Sequence, residues 1–431
     1  MNRMNQPEIT AAPGPEKVFR RRVFYIPGYD PIHPRRYREL YRKEGAAQAH
    51  ISGYEIGLQA APSHDTFRWN VAARIDGQDV TAQVDVLVWS DIVRGSMAQS
   101  ILGTYLQLIQ TAWVYITTGT LRRLMWMRKG PIIAALYPVL MLLAQLAVAI
   151  SMGAFVSEQV GRILHRFIGG GDGVLFTFVD WSIWIIEWAL LGGILVVVLR
   201  WFKSVDNKLF AYYLMHDYAF SARFKGANPP QLETRMSLFG DLIAAALAED
   251  IDEVLIVGHS SGAHLAVSIL ADLIRDGRVP KDGPKLAFLS LGQVVPMVSF
   301  LPKAERLRRD LAFLSATPDV TWIDVTAPGD GCCFALCDPV AVTGVAPADK
   351  QWPLVISAAF TQSLSPTRWK ALRWRFFRLH FQYLCAFDQP KDYDYFKITA
   401  GPILLRDRYA GRNPSKSRID VPVSKYTSMK P

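Results

Sequence analysis

Ser260 is the residue around which chemistry can be built. It stands in Gly258-His259-Ser260-Ser261-Gly262, between the apolar run Val254–Val257 and a stretch of small, helix-forming residues that begins at Ala263. A serine on a sharp strand-to-helix turn holds its hydroxyl clear of the sheet, and the helix N-terminus behind it favours developing negative charge. Gly258 and Gly262 let the backbone turn and let strand and helix pack closely. Such a serine can attack a carbonyl carbon and pass through an acyl-enzyme. It then needs a base to take its proton and a partner that fixes the tautomer of the base.

The segment Asp252–Val267 resembles the α/β-hydrolase family, more narrowly its lipase and esterase members. The family order is nucleophile, acid, histidine. Carried onto this chain, the resemblance makes Ser260 the nucleophile. Two histidines follow it, and His264 falls in the helix behind the turn, where packing is its job, so His380 is the base. The acid is expected after a strand between the two. Asp330, on Ala327-Pro328-Gly329-Asp330-Gly331 behind the strand Val320–Thr326, ranks first, ahead of Asp338 on the loop beyond and Asp324 within the strand. The resemblance also implies two backbone donors to an oxyanion, the amides of Ser261 and Tyr29. Tyr29 lies in Pro27-Gly28-Tyr29-Asp30-Pro31, where Pro27 stands in place of the family's usual histidine, so only the backbone carries over. His259 reads as structural. The resemblance spans about residues 18–95 and 205–405.

The elements that must position these groups read as a doubly wound α/β sheet. Val18–Ile26 ends in a strand, Pro34–Gln48 is a helix with a basic face, and Tyr54–Gln59, Phe67–Ile75 and Val84–Trp89 are strands. Ile75-Asp76-Gly77-Gln78 suits a hairpin turn. Asp91 would fall near the serine turn, with a helix N-cap as its other reading. Helices over Tyr212–Lys225, Gln231–Glu249 and Arg306–Leu314, with a strand at Leu286–Leu291, complete the second part. Residues 18–95 and 205–405 would share one sheet.

A membrane interrupts that sheet. Pro131–Val156 carries no charge and exceeds the roughly 20 residues needed to span hydrocarbon. A connector, Ile168-Gly169-Gly170-Gly171-Asp172-Gly173, leads to a second span, Trp181–Leu199, whose one charge, Glu187, sits off centre among Trp181, Trp184 and Trp188, where it can snorkel. Residues 130–204 are thus a transmembrane hairpin, or, on the other reading, a buried helical hairpin. Arg122, Arg123, Arg128 and Lys129 precede it and Arg200, Lys203 and Lys208 follow, against Arg162 and Arg166 between the spans, which puts both flanks in the cytoplasm at an inner or plasma membrane. Residues 96–129, uncharged over much of their length and rich in aromatics, read as a helical segment along the bilayer interface. Residues 1–17 are polar with no signal-peptide core, and 406–431 form a basic, flexible tail.

Composition agrees. Hydrophobic residues make up 50% of the 431 and there are 12 tryptophans, rich for a soluble enzyme. The net charge of +10 comes without any nucleic-acid-binding motif, so the bilayer, not nucleic acid, is the partner. Cys332, Cys333, Cys337 and Cys385 give no disulfide framework and no C-x-x-C pair, and are expected as reduced thiols near the active site, without metal or cofactor. Arg368–Arg378 interleaves cations with aromatics directly before His380, which fits either an anionic headgroup layer or a helix with a cationic surface. The expectation is a membrane-anchored serine hydrolase acting on a carboxylic ester of a lipid or acylated small molecule. Acyl transfer or thioester cleavage on the same fold, and an inactive hydrolase fold serving as a binding module, are the alternatives. No H-x-x-x-x-D sequence speaks for a glycerolipid acyltransferase.

Overall fold

The computed structural model describes residues 17–61, 66–97, 100–168, 171, 173–209 and 211–430. The N-terminal segment expected to be flexible lies almost wholly outside them, as does most of the glycine-rich connector.

Eight strands form one sheet: β1 (Arg20–Ile26), β2 (Glu55–Ala61), β3 (Phe67–Ile75), β4 (Gln78–Val86), β5 (Glu253–His259), β6 (Lys285–Leu291), β7 (Thr321–Thr326) and β8 (Leu354–Ser357), in the spatial order β2-β3-β4-β1-β5-β6-β7-β8. β2 and β3 are antiparallel to their neighbours, and β4 through β8 run parallel. The central strands are apolar on both faces because helices cover both. Val23, Tyr25, Leu255, Val257 and Leu289 face one core with Tyr41 of helix Arg35–Ser52 and Phe396 of helix Tyr395–Ala400. Phe24, Ile26, Val254, Ile256 and Phe288 face the other, under helices Pro230–Leu247, Gly262–Arg275 and Glu305–Ala316.

The hairpin between β3 and β4 turns through Asp76 (φ 51°) and Gly77 (φ 74°), the two left-handed residues of a two-residue turn. The turn starts β4 at Gln78, earlier than the strand expected over Val84–Trp89. Its polar first half alternates on the sheet surface, and Trp89 already precedes the next helix, Ser90–Ser96. Asp91 lies in the first turn of that helix and pairs with Arg235 at 2.7 Å.

Between β4 and β5 the chain leaves the sheet. Helix Ile101–Thr117 buries Thr104, Leu108, Thr111, Val114 and Tyr115 and exposes Leu102, Leu106, Ile109, Trp113 and Ile116, an apolar stripe at alternating four- and three-residue steps. Two helices follow, Lys129–Ile168 and Val174–Ser204. Each holds a stretch of mean hydropathy 2.3, mostly exposed, long and apolar enough to cross a membrane. They lie antiparallel and close: a side chain added at Gly153 would meet the Leu191 carbonyl at 3.0 Å, and one at Gly161 would overlap the Glu187 carboxylate. Glu187 therefore turns toward the partner helix rather than outward.

The tail is a correction. Ser415 N–H donates to Val355 O (2.9 Å), Asp338 N–H to Ile419 O (2.8 Å) and Val423 N–H to Val342 O (2.9 Å). The buried Arg308 guanidinium donates to Ser428 O at 2.6 Å. The segment is fixed through its backbone, with Ile419 and Val423 packed on a small apolar cluster, so its polar composition did not mean looseness.

Candidate active site

The carboxyl ends of β1, β5 and β7 converge on one cavity edge, the place where parallel sheets gather ligand-facing loops. β5 is buried along its whole length and delivers Ser260 directly after His259. Ser260 has φ 56°, a left-handed conformation that costs a residue with a Cβ and persists only where surrounding contacts enforce it. Those contacts are visible: Ser260 N–H donates to Leu291 O at the end of β6 (2.9 Å), and Ala263 N–H to Ser260 O (3.1 Å). Helix Gly262–Arg275 then starts so close to β1 that a Cβ on Gly262 would stand 2.1 Å from the Ile26 carbonyl oxygen. Gly28 approaches from the other side, where an added Cβ would lie 2.9 Å from Ser260 Cβ and 3.4 Å from its Oγ.

The loop carrying Gly28 and Tyr29 is held on three sides. Trp89 Nε1–H donates to Pro27 O (2.9 Å), the Tyr213 hydroxyl donates to Tyr29 O, and the Asp30 carboxylate accepts from Tyr37 O–H (2.5 Å). Among the described residues, neither the Tyr29 amide nor the Ser261 amide donates to a backbone carbonyl. Ser261 is the N-cap of helix Gly262–Arg275, so its amide lies at the positive end of that helix.

β7 places Asp330 on a turn closed by Asp330 N–H to Ala327 O at 2.9 Å. Its carboxylate is buried and receives three donors: Cys332 N–H on Oδ1 (2.9 Å), and His380 Nδ1–H (2.7 Å) and Tyr383 O–H (3.1 Å) on Oδ2. Burial pushes this carboxyl up, but His380 and the converging donors outweigh it and hold it below the usual range. His380 ends helix Phe376–His380, and Ser260 and His380 line the same cavity of about 520 Å³. The ring of His259 anchors it from behind: Nε2–H donates to His380 O (3.1 Å) while Tyr25 O–H donates to Nδ1 (3.3 Å). Burial, then the neighbouring His380, push His259 down to about 3, so it stays neutral. His264 is buried in helix Gly262–Arg275, away from the cavity wall, and burial pushes it down to about 4.

The other two aspartates have different work. Asp338 caps helix Pro339–Thr343, accepting from Val340 N–H (3.0 Å) and Ala341 N–H (3.1 Å), and pairs with Lys350 at 2.7 Å. Asp324 is fully buried inside β7 and accepts Ser290 O–H at 2.5 Å, and burial pushes it up to about 8, so it is neutral at pH 7.

One group at the site was not singled out from the sequence. Asp217, on helix Ala211–Arg223 directly after the two long helices, lines the cavity and interacts with the Ser261 hydroxyl. Burial pushes its carboxyl up to about 7, opposed by His380 and Ser261. The available signal was an acid in the middle of an otherwise apolar and aromatic helix, Ala211-Tyr-Tyr-Leu-Met-His-Asp217-Tyr-Ala-Phe220. Cys332 also lines the cavity. Asp330, Cys332 and His380 bring ligand-type atoms within 4.8 Å of one another. A metal there would compete with the Asp330–His380 hydrogen bond; burial first, then Asp330 and Asp217, raise the Cys332 thiol well above its ordinary value.

The fold and this edge define an α/β protein with a mostly parallel sheet, a buried Asp330–His380 pair, and Ser260 on the wall of the cavity that His380 also lines. Compared with family models, with curated proteins and with solved structures, the chain matches none.

Proposed function

We propose that this chain is a serine hydrolase of the α/β-hydrolase type, anchored in a membrane by its two long helices, that cleaves a carboxylic ester of a lipid or acylated small molecule. The observation that carries the reading is the left-handed Ser260, on a strand-to-helix turn, sharing a cavity with a histidine whose Nδ1 lies 2.7 Å from a buried aspartate.

In this reading Ser260 Oγ attacks the ester carbonyl while Nε2 of His380 takes the serine proton. The charge on the carbonyl oxygen is met by the amides of Ser261 and Tyr29, and removing one such donor typically costs about a hundredfold to a thousandfold in turnover. The C–O bond to the alcohol breaks and His380 returns the proton to the leaving oxygen. Water, deprotonated by the same nitrogen, then splits the acyl-enzyme into acid and free serine. Asp330 keeps the Nδ1–H tautomer, so that Nε2 presents a lone pair. The cationic residues on both flanks of the two long helices support a catalytic domain on the cytoplasmic side of an inner or plasma membrane. Labelling with a fluorophosphonate probe tests the reading: label should appear on the wild type and vanish in Ser260→Ala. Absence of label, or label that survives the substitution, refutes it.

A further inference from the structure

The walls of the Ser260 cavity say more about what enters it. About 520 Å³ lies within the roughly 300–1,000 Å³ of sites that bury drug-sized ligands, far more than a short acyl group requires. One wall is Ile133 and Tyr137, one turn apart on the first long helix. At 1.5 Å per residue they stand only about 6 and 12 Å beyond the helix start at Lys129, at the depth where a spanning helix passes from headgroups to hydrocarbon. Ile133 is 63% exposed, so the wall is open to the side.

Trp374-Arg375-Phe376-Phe377-Arg378 also lines the cavity, with Trp374 72% exposed. Among the described residues neither Arg375 nor Arg378 meets a carboxylate, whereas Arg368 on the preceding helix pairs with Glu44 at 3.7 Å. Among the described residues two acids line the cavity. Asp30 is engaged by Tyr37 (2.5 Å) and Arg36 (3.5 Å), and Asp217 lies deep beside Ser261. The mouth is therefore cationic, flanked by exposed aromatic and aliphatic side chains, and continuous with the foot of a membrane-length helix.

Resting on the hydrolase reading, we propose that the substrate is an anionic lipid ester drawn sideways from the bilayer leaflet, its acyl chain passing Ile133 and Tyr137 and its acidic headgroup held at Arg375 and Arg378. A neutral storage lipid would leave both guanidinium groups unmatched, and a small soluble ester would leave the apolar wall empty.

The test uses the full chain in lipid nanodiscs with fluorogenic lipid esters of one acyl chain and three headgroups: neutral, zwitterionic and phosphate-bearing anionic. A water-soluble short-chain ester bearing the same phosphate forms a fourth arm. The anionic lipid should exceed the zwitterionic one in kcat/KM by about tenfold, the scale of two partly exposed charge pairs acting together, and should do so through KM. In Arg375→Gln/Arg378→Gln that ratio should fall toward one, and Arg375→Lys/Arg378→Lys should restore most of it. Equal rates on all three lipids, or an anionic preference that survives the Gln pair, overturns the headgroup assignment. A soluble phosphate ester cleaved as well as the lipid overturns access from the leaflet. Failure of the hydrolase reading itself shows separately, as no Ser260-dependent cleavage of a plain p-nitrophenyl ester.

Discussion

Replacing Asp330 by Asn puts the hydrogen bonds behind His380 under test. The carboxylate accepts on both oxygens, from Cys332 N–H on one and from His380 Nδ1–H and Tyr383 O–H on the other. An amide can accept on only one side. If its oxygen stays toward Cys332, its NH2 faces His380, which must then accept at Nδ1 and carry its proton on Nε2, the nitrogen that has to receive the serine proton. If the amide flips, NH2 meets the Cys332 N–H and leaves a buried donor unpaired, a cost of about 1–3 kcal/mol. The first orientation removes what the base needs and the second keeps the Nδ1–H tautomer only at that cost; the loss expected for the wrong tautomer is about ten-thousandfold in turnover. Asp338→Asn keeps an oxygen for the amides of Val340 and Ala341 and loses only the Lys350 pair. Asp324→Asn replaces a carboxyl that is already neutral. Both should stay within about tenfold of wild type in turnover, since neither carboxyl lines the cavity or bonds to His380. The assay is ester turnover together with the rate of fluorophosphonate labelling in all three variants. An Asp330→Asn enzyme within tenfold of wild type, or an equal collapse in either of the others, refutes the assignment of the acid.

Four further outcomes follow. Asp324 is raised from 3.8 to about 8, so its share of stability is complete at low pH and is lost as pH rises through that range. Thermal unfolding should show wild type losing ground to Asp324→Asn by up to about 1.4 kcal/mol per pH unit between pH 4 and 8, and level above that. Gly262→Ala forces a methyl group against the Ile26 backbone carbonyl, which cannot swing aside, and should lower the unfolding temperature and abolish labelling, and wild-type labelling would refute the packing described. Truncation after Gly411 removes the Ser428 carbonyl from the buried Arg308 and the Ile419 and Val423 contacts. It should destabilise the chain by several times the roughly 1 kcal/mol of one hydrogen bond, read by thermal unfolding in detergent. Alkaline carbonate should leave the intact chain in the membrane pellet, and its release to the supernatant would count against the spanning reading.

The sheet was legible where burial is continuous. β1, β5 and β7 are buried almost end to end because both faces are covered, and each carries an apolar stretch; Asp76-Gly77 announces its turn through two left-handed residues. The start of β4 was not, because its first half is polar and puts only Val80 and Ala82 on the buried face. At the site, Ser260 could be read from local backbone demands. Asp330 and Asp338 both follow β7 and look alike in sequence, and what separates them is three-dimensional: one faces His380 and the other caps a short helix. Asp217 stood out only as an acid in an apolar helix, and its place at the site could not be read because the excursion between β4 and β5 brings it back to Ser261 from outside the sheet. The docked tail escaped because backbone hydrogen bonds leave no signature in side-chain composition.

The pairing of β1 with β5 has a consequence for how the chain is made. Val23 lies opposite Leu255, with both long helices synthesised between them. When β1 to β4 leave the ribosome, the edge of β1 that will receive β5 is unpaired, and an open strand edge is an invitation to aggregate. Closing it requires the two ends of that long excursion to meet, a slow, non-local step. The order of synthesis therefore fixes an order of maturation: the excursion must be laid down before β5 docks. Gly28 reaches Ser260 only after that docking, so the nascent chain cannot assemble the Ser260 turn until both long helices have been made.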